Sequence, residues 1–227
     1  MSQRILLVRH GLTEWNREGR FQGHRDPGLS ADGRAQGAVL ARRLSGSHED
    51  RPARIVCSPL VRALGTAEEI GAALPSPQPA IELDPRWMEI GQGEWEGRTH
   101  ADLQVSDAER YAEWRSGNDH QPPGGEPISA VLARVGAALA DVLASADADG
   151  TWPVCVVAHG GSLRVAANLL LVLSLERVWG MEMDNASVSI LRRADGLWQL
   201  VRWNDTSHLL GRMAVHAAEE DGEALAL

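Results

Sequence analysis

Two histidines and two arginines in this 227-residue chain follow short apolar runs: Arg9, His10, Arg62 and His159. Glycines accompany both histidines, at Gly11 and at Gly160. Guanidinium groups, imidazoles and backbone N–H groups that glycine leaves accessible are the partners that phosphoryl oxygens bind in proteins. These residue types therefore predict a phosphate-binding site.

Phosphoryl transfer requires a nucleophile in line with the leaving oxygen, and groups that stabilise charge on the remaining oxygens. An imidazole nitrogen can serve as the nucleophile. The leaving alkoxide then needs a proton, and Glu89 is the candidate donor because its segment is rich in glycine and can form a close-fitting loop. Glu94 and Glu96 lie close in sequence and are the competing candidates for this proton donor.

The elements that must position these residues alternate between strand and helix. Short apolar runs at Ile5–Val8, Arg54–Cys57 and Val154–Ala158 are separated by longer segments with helical periodicity. This alternation predicts an α/β fold with a mostly parallel central sheet and helices on both faces. Because ligands of such sheets bind beyond the carboxyl ends of the strands, we expect the four cationic and imidazole side chains to converge there.

Local signals predict the flanking helices and a C-terminal hairpin. Ser30 is the expected N-cap of one helix, and Ser58-Pro59 is expected to open the next with a cap followed by proline. Apolar residues at helical spacing predict an amphipathic crossover helix from Ile128 through Val142. A further helix is expected from near Ser162 to about Leu173, and then a hairpin of Ser187–Arg192 and Leu197–Trp203.

Composition limits the function classes. The net charge of −9 argues against partners such as nucleic acids or anionic membranes, which require a basic surface. The N-terminal segment has neither a signal-peptide core nor a membrane span, so we expect a cytoplasmic protein.

Cys57 and Cys155 lie in apolar runs and are expected to be buried free thiols. We expect a single domain over residues 1–215 and a flexible acidic tail over 216–227.

The segment Leu7-Val8-Arg9-His10-Gly11-Leu12-Thr13-Glu14-Trp15-Asn16 resembles the signature of the histidine phosphatase superfamily, also called phosphoglycerate mutase-like. The resemblance extends, in the family's order, over about residues 4–210. It includes Gly19-Arg20-Phe21-Gln22-Gly23, Leu29-Ser30-Ala31-Asp32-Gly33, Ser58-Pro59-Leu60-Val61-Arg62-Ala63, Gly93-Glu94-Trp95-Glu96-Gly97 and Val157-Ala158-His159-Gly160-Gly161. The fold it implies agrees with the fold predicted from periodicity.

The resemblance implies a role for each matching residue. His10 is implied as the phosphorylated nucleophile, and Glu89 as the general acid that later acts as base toward water. Arg9, Arg62 and His159 are implied to bind the phosphoryl group. Without that context, Arg62 could equally be a solvated helix residue, and His159 a buried structural histidine.

Four further positions are implied to bind phosphate or substrate: the side chain of Asn16, the backbone N–H of Gly160, and the pocket-lining pair Gln22 and Gly23. The family's chemistry needs neither a metal nor another cofactor, and the sequence shows no carboxylate cluster at metal-ligand spacing. Whether Arg20, His24, Arg86 or Arg98 contacts the substrate stays open.

A phosphomonoesterase acting on a small-molecule phosphate ester is the favoured function. The cofactor-dependent phosphoglycerate mutases are the main alternative, but they carry a longer insertion with paired basic residues, whereas the segment 98–153 is short and holds only isolated arginines. A non-catalytic phosphate-binding protein is the third possibility. Pro123-Gly124-Gly125-Glu126 resembles the broad-specificity phosphatase branch. More loosely, the chain resembles glucosyl-3-phosphoglycerate phosphatase and the phosphatase acting on alpha-ribazole phosphate; a homodimer is left open.

Overall fold

A central sheet of six strands organises the computed structural model, which describes residues 3–116, 121–174, 177 and 179–210. The strands are β1 (Arg4–Arg9), β2 (Arg54–Cys57), β3 (Ile81–Leu83), β4 (Val154–Ala158), β5 (Val188–Ala194) and β6 (Leu197–Asp205). They lie in the order β3-β2-β4-β1-β5-β6. β1 to β4 pair in parallel, whereas β5 and β6 pair antiparallel. The predicted α/β class and the C-terminal hairpin are confirmed.

Helices cover both faces of this sheet. In the described part of the chain they are α1 (Glu14–Arg17), α2 (Ala31–Gly46), α3 (Val61–Ala73), α4 (His100–Ser106), α5 (Ala108–Arg115), α6 (Ile128–Asp149) and α7 (Gly160–Leu171). Short 3-10 helices span Pro85–Trp87, Gly93–Trp95 and Ser207–Leu209. Successive residues of β1 alternate between the two faces, so Ile5 and Leu7 pack with α6 and α7, and Leu6 and Val8 pack with α2 and α3.

The crossover helix α6 has the predicted amphipathic character. Its face formed by Val131, Val135, Leu139 and Val142 is buried in the core against β4. By length and composition alone, α6 would also pass as a membrane span, with a mean hydropathy of 1.6. The core helix of an α/β protein meets the same criterion, because one face must be apolar and alanines can fill much of the other.

A separate aromatic cluster holds the segment after α1 against α4 and α5. Phe21 packs edge-on against Trp95 and Trp114, with ring centroids 5.5 and 5.2 Å apart, and Tyr111 completes the cluster. The Trp95 indole N–H also donates to Asp107 at 2.9 Å. This cluster fixes the backbone immediately before Gln22.

One predicted helix start is wrong, and one predicted segment cannot be compared. Helix α3 begins at Val61, not at Ser58-Pro59, and its N-cap residue Leu60 makes no side-chain cap. Asp26 caps the helix instead, because its carboxylate accepts hydrogen bonds from the backbone N–H groups of Val61 and Arg62. The predicted acidic tail, residues 216–227, lies outside the described residues.

Candidate active site

The parallel pairing of β1 with β4 brings the two predicted histidines together. Arg9 pairs with Ala158, so His10 and His159 follow neighbouring strands at the same edge of the sheet. The His10 backbone N–H donates to the Ala158 carbonyl at 3.0 Å. The two imidazole rings lie with their centroids 5.2 Å apart, and both residues are buried, 3 % and 0 % exposed.

His10 is held in one tautomer. Its Nδ1 lies 2.7 Å from the Gly11 carbonyl oxygen, and because a carbonyl only accepts, Nδ1 carries the hydrogen of this bond. Burial, with the nearby charges of Arg62 and Arg9, lowers the pKa of His10 well below its usual value. The imidazole is therefore neutral at pH 7, and its Nε2 presents a lone pair.

His159 forms the N-cap of α7 and contacts the residue that follows β2. Its Nε2 lies 2.8 Å from the Ser58 hydroxyl oxygen, whereas its Nδ1 is buried with no partner among the described residues. Burial lowers the pKa of His159, and the charge of Arg62 lowers it further. The ring is therefore a neutral hydrogen-bonding group.

Both arginines are anchored through part of the guanidinium only. Arg62 is 0 % exposed and donates from Nη2 to the Gly23 carbonyl at 2.8 Å and from Nη1 to Asp26 at 3.0 Å. Arg9 donates from Nη1 to the Met183 carbonyl at 2.5 Å. The Nε atoms of both arginines are buried and lack a hydrogen-bond partner in the described structure. Burial lowers the pKa of Arg9 to about 10, and each arginine still carries its positive charge at pH 7.

At this site, three buried nitrogens thus lack a hydrogen-bond partner among the described residues: Arg9 Nε, Arg62 Nε and His159 Nδ1. Leaving a buried polar group unpaired costs about 1–3 kcal/mol, and more for a charged one. A bound anion would remove that cost. Phosphate suits the arrangement because it accepts several hydrogen bonds and carries the charge that two arginines balance.

The Glu89 carboxylate lies at the N-terminus of the 12-residue helix α7. It accepts hydrogen bonds from the backbone N–H groups of Ile90 at 2.9 Å and Gly161 at 3.1 Å, and a longer one from Ser162 at 3.3 Å. A Cβ at position 161 would lie 2.4 Å from Glu89 Oε1, so glycine is required for this approach. Its charge acts on both active-site arginines. The structure therefore brings Glu89 to the same site.

The competing carboxylates, those of Glu94 and Glu96, do not lie with Glu89 at the N-terminus of α7. Glu94 is exposed. Glu96 binds the loop behind Arg62, accepting from the backbone N–H groups of His24 at 2.9 Å and Arg25 at 3.0 Å. Glu96 therefore has a structural role in shaping that loop.

Asn16 is oriented by a residue that the sequence does not reveal. Its Oδ1 accepts from the Thr13 backbone N–H at 3.2 Å and from Asn185 Nδ2 at 3.1 Å. Asn185 also donates to the His10 carbonyl at 3.1 Å. With its oxygen occupied, the amide of Asn16 has its NH₂ group left to donate to a ligand.

The remaining predicted positions have varied surroundings. Gln22 is buried and its Oε1 has no described partner; Gly23 binds Arg62 through its carbonyl, and Gly160 lies beside Arg9. His24 Nε2 lies 2.9 Å from the Glu89 carbonyl. The other arginines left open bind protein groups: Arg20 binds Glu18, Arg86 binds Asp84 and Asp141, and Arg98 binds Ser106.

Arg134 of α6 is a second residue that sequence reasoning missed. It donates to the carbonyls of Met88 at 2.7 Å and Glu89 at 3.1 Å, and it forms an ion pair with Glu126 at 2.7 Å. These contacts fix the backbone that carries the Glu89 carboxylate. Across the described residues, no group of three or more His, Cys, Asp or Glu side chains is placed to hold a metal ion.

Known proteins are similar to this chain in sequence. The chain is 32 % identical over 207 residues to phosphoserine phosphatase 1 of Hydrogenobacter thermophilus, covering 91 % of this chain and 94 % of that protein. It is 34 % identical to glucosyl-3-phosphoglycerate phosphatase of Mycolicibacterium vanbaalenii, with coverages of 91 % and 96 %.

Solved structures of phosphatases are similar to this chain in fold. A mycobacterial glucosyl-3-phosphoglycerate phosphatase in complex with VO3 matches with a TM-score of 0.79 at 32 % identity, covering 89 % of this chain and 99 % of that one. The alpha-ribazole phosphatase of Shigella flexneri matches with a TM-score of 0.77 at 27 % identity, with coverages of 90 % and 97 %. The family described as histidine phosphatase superfamily (branch 1) matches residues 5–206. With its fold, its motifs and these relatives in agreement, the chain belongs to the histidine phosphatase superfamily.

Proposed function

We propose that this protein is a phosphomonoesterase that hydrolyses a small-molecule phosphate ester through a phosphoryl group held transiently on His10. The observation that carries the proposal is the neutral His10 imidazole, with Nε2 available, beside three buried nitrogens that have no partner in the described structure. The anion that satisfies those nitrogens would place its phosphorus within reach of the nucleophile.

The reaction has two halves. In the first, His10 Nε2 forms a bond to phosphorus as the bond to the ester oxygen breaks, and Glu89 in its acid form donates a proton to the departing alkoxide. In the second, the Glu89 carboxylate takes a proton from water, the water oxygen bonds to phosphorus, and the bond to Nε2 breaks. Arg9, Arg62 and His159 hold the equatorial oxygens throughout. Inorganic phosphate and neutral His10 remain.

The relatives support hydrolysis over mutase chemistry, because those described above are named phosphatases. Two of the isolated arginines that could have held a mutase substrate have other contacts. Arg110 lies 3.9 Å from Asp107 near the end of α4, and Arg134 supports the Glu89 segment. We therefore expect 3-phosphoglycerate to lose phosphate rather than to be converted into 2-phosphoglycerate.

The first test is phosphate release from p-nitrophenyl phosphate by the wild type, His10→Ala and His48→Ala. His48 is exposed and precedes Glu49, which pairs with Arg4 at the opposite end of β1 from His10, so His48→Ala serves as the matched control. We expect His10→Ala to lose at least about 1,000-fold in kcat/KM, since loss of the nucleophile removes the covalent route. Equal rates for His10→Ala and the wild type would contradict the proposal.

We also infer a cytoplasmic location, supported by two free cysteines, Cys57 and Cys155, that are buried and unpaired.

For the oligomeric state we infer a homodimer. It is supported by Leu197, Leu200 and Val201, which are exposed on the edge strand β6. Light scattering after size exclusion tests the dimer: a mass of one chain would refute it.

A further inference from the structure

Arg164 lies beside the proposed phosphoryl site but has no part in the mechanism given above. It is one turn along α7 from Gly160, and its side chain points back toward the helix N-terminus. Its Nη1 lies 3.3 Å from where a Cβ on Gly160 would be, and the Nε of Arg9 lies 3.7 Å from the same point. The glycine therefore leaves room for two guanidinium groups side by side.

Within the described part of the chain, a single hydrogen bond anchors the Arg164 guanidinium. Its Nε donates to the Met181 carbonyl at 2.6 Å. Among the residues that the structure describes, no carboxylate lies within 4.0 Å of its guanidinium. The acids that act on it from farther away are Glu89, Glu182 and Asp184. Glu89 is already bound by backbone N–H groups of α7, and Asp184 accepts from Asn204 at 2.8 Å.

The positive charges of Arg9 and Arg164 are therefore held together, and no described carboxylate lies within 4.0 Å of either guanidinium. Burial lowers the pKa of Arg164, and the charge of Arg164 contributes to the lowered pKa of Arg9. Such an arrangement destabilises the ligand-free protein, and an anion bound between or beside the two groups would stabilise it.

A second anionic group on the substrate fits Arg164 better than the phosphoryl group does. Arg9 and Arg62 already supply two positive charges, which match a phosphate dianion. One further guanidinium, with Nε occupied and both Nη groups remaining, matches a singly charged carboxylate, which accepts two parallel hydrogen bonds from such a fork.

Building on the proposed function, we propose that Arg164 binds a carboxylate of the substrate, so that the protein selects phosphate esters of small hydroxy acids. Because Arg164 and Arg9 flank the same glycine, the carboxylate must lie only a few bonds from the ester oxygen. A substrate lacking that group would leave Arg164 without an anion.

The test compares 3-phosphoglycerate with glycerol 3-phosphate, which differ in a carboxylate against a hydroxymethyl group at the same carbon. Values of kcat/KM are measured for both substrates with the wild type, Arg164→Gln, Arg164→Lys and the control Arg192→Gln. Arg192 lies on β5, where it binds Gln199 on the neighbouring strand β6. Thermal melts of all variants check that they fold.

We expect the wild type to prefer 3-phosphoglycerate. Arg164→Gln should lower the ratio of the two kcat/KM values by about 10- to 100-fold, the range expected for a lost charged hydrogen bond. Arg164→Lys should retain part of the preference, and Arg192→Gln all of it. A wild type without preference, or a ratio that Arg164→Gln leaves unchanged, would overturn this inference while p-nitrophenyl phosphate hydrolysis still supports the proposed function. Failure of the wild type on all three esters would instead refute the function itself.

Discussion

Glu89 illustrates how a single side chain acquires its role from backbone groups far away in sequence. Its carboxylate lies where the N–H groups of Gly161 and Ser162 emerge from α7. The same helix start follows His159, so one turn of backbone positions both the proposed proton donor and a phosphoryl ligand.

Replacing Glu89 by glutamine should affect substrates according to their leaving groups. An alkoxide leaving group requires a proton, whereas p-nitrophenolate is stable without one. We expect Glu89→Gln to lower kcat for glycerol 3-phosphate by about 100- to 1,000-fold, and kcat for p-nitrophenyl phosphate by about 10-fold or less. Steady-state kinetics on both esters measure the difference.

Glu94→Gln is the matched control, because Glu94 is exposed and lies five positions along the same segment. It should leave both rates unchanged. If Glu89→Gln slowed both esters equally, or neither, Glu89 would not be the proton donor.

The role of a site residue can be predicted from the sequence where the residues next to it carry the signal. Arg9, His10 and His159 follow apolar runs and precede glycines, and strand pairing alone brings them to one edge. Asn185 and Arg164 carry no such local signal. Asn185 reaches the site because β5 pairs antiparallel with β1, and its contact with His10 spans 175 positions.

At the scale of elements, α3 shows why local capping rules predict helix starts imperfectly. Ser58-Pro59 has the local pattern of a cap, but the Ser58 hydroxyl lies against His159 and the helix begins three residues later. Asp26 supplies the cap and also pairs with Arg62. One carboxylate from another loop thus caps the helix and orients the arginine that the helix carries, which no local pattern predicts.

The segment that carries Glu89 depends on a contact between elements, through Arg134 of α6. Arg134→Met removes its hydrogen bonds to the carbonyls of Met88 and Glu89. We expect kcat for glycerol 3-phosphate to fall about 10-fold, with a smaller effect on p-nitrophenyl phosphate, because a displaced Glu89 protonates the leaving group less well. Arg134→Lys should restore part of the rate.

A double-mutant cycle separates positioning from general destabilisation. In the Glu89→Gln background, Arg134→Met should cost little further activity, since both changes disable the same step. Arg86→Gln is the control: Arg86 lies in the neighbouring 3-10 helix, and its replacement breaks ion pairs with Asp84 and with Asp141 of α6. Additive losses in the double variant would show that Arg134 does not act through Glu89.

At the scale of the whole molecule, the buried imidazoles couple stability to pH. His10 and His159 both have lowered pKa values in the folded protein, so they stay neutral at pH values where unfolded histidines take up protons. The unfolded state therefore binds more protons below pH of about 6.5, and acid favours unfolding. The stability contributed by these neutral rings is complete above that pH and is lost as the pH falls.

We expect the free energy of unfolding to fall by about 2 kcal/mol between pH 6.5 and pH 5.5, given at most about 1.4 kcal/mol per pH unit for each histidine. Urea denaturation at a series of pH values measures it. His10→Asn should reduce this pH dependence, whereas His48→Ala, which changes an exposed histidine, should preserve it. A pH dependence that His10→Asn leaves unaltered would show that His10 titrates normally.

The fold as a whole could be predicted from the sequence because its strands are short, apolar and separated by amphipathic helices. The predicted spans of β2 and β4 are confirmed residue for residue, and α6 begins at Ile128 as expected. Helices α4 and α5 are not predicted from the sequence. The aromatic cluster that holds them is formed by Phe21, Trp95 and Tyr111, which come from separate segments. Because these segments are distant in sequence and mostly polar, they show no hydrophobic periodicity from which the helices could be predicted.

The most direct measurement is to trap the phosphoenzyme. Wild type, His10→Asn and His159→Asn are mixed with ³²P-labelled ester, quenched in base within milliseconds and digested for peptide mapping. We expect an acid-labile, base-stable label on the peptide containing His10, present in the wild type and absent from His10→Asn. A label on any other residue, or turnover at the full rate with no label on His10, would contradict it.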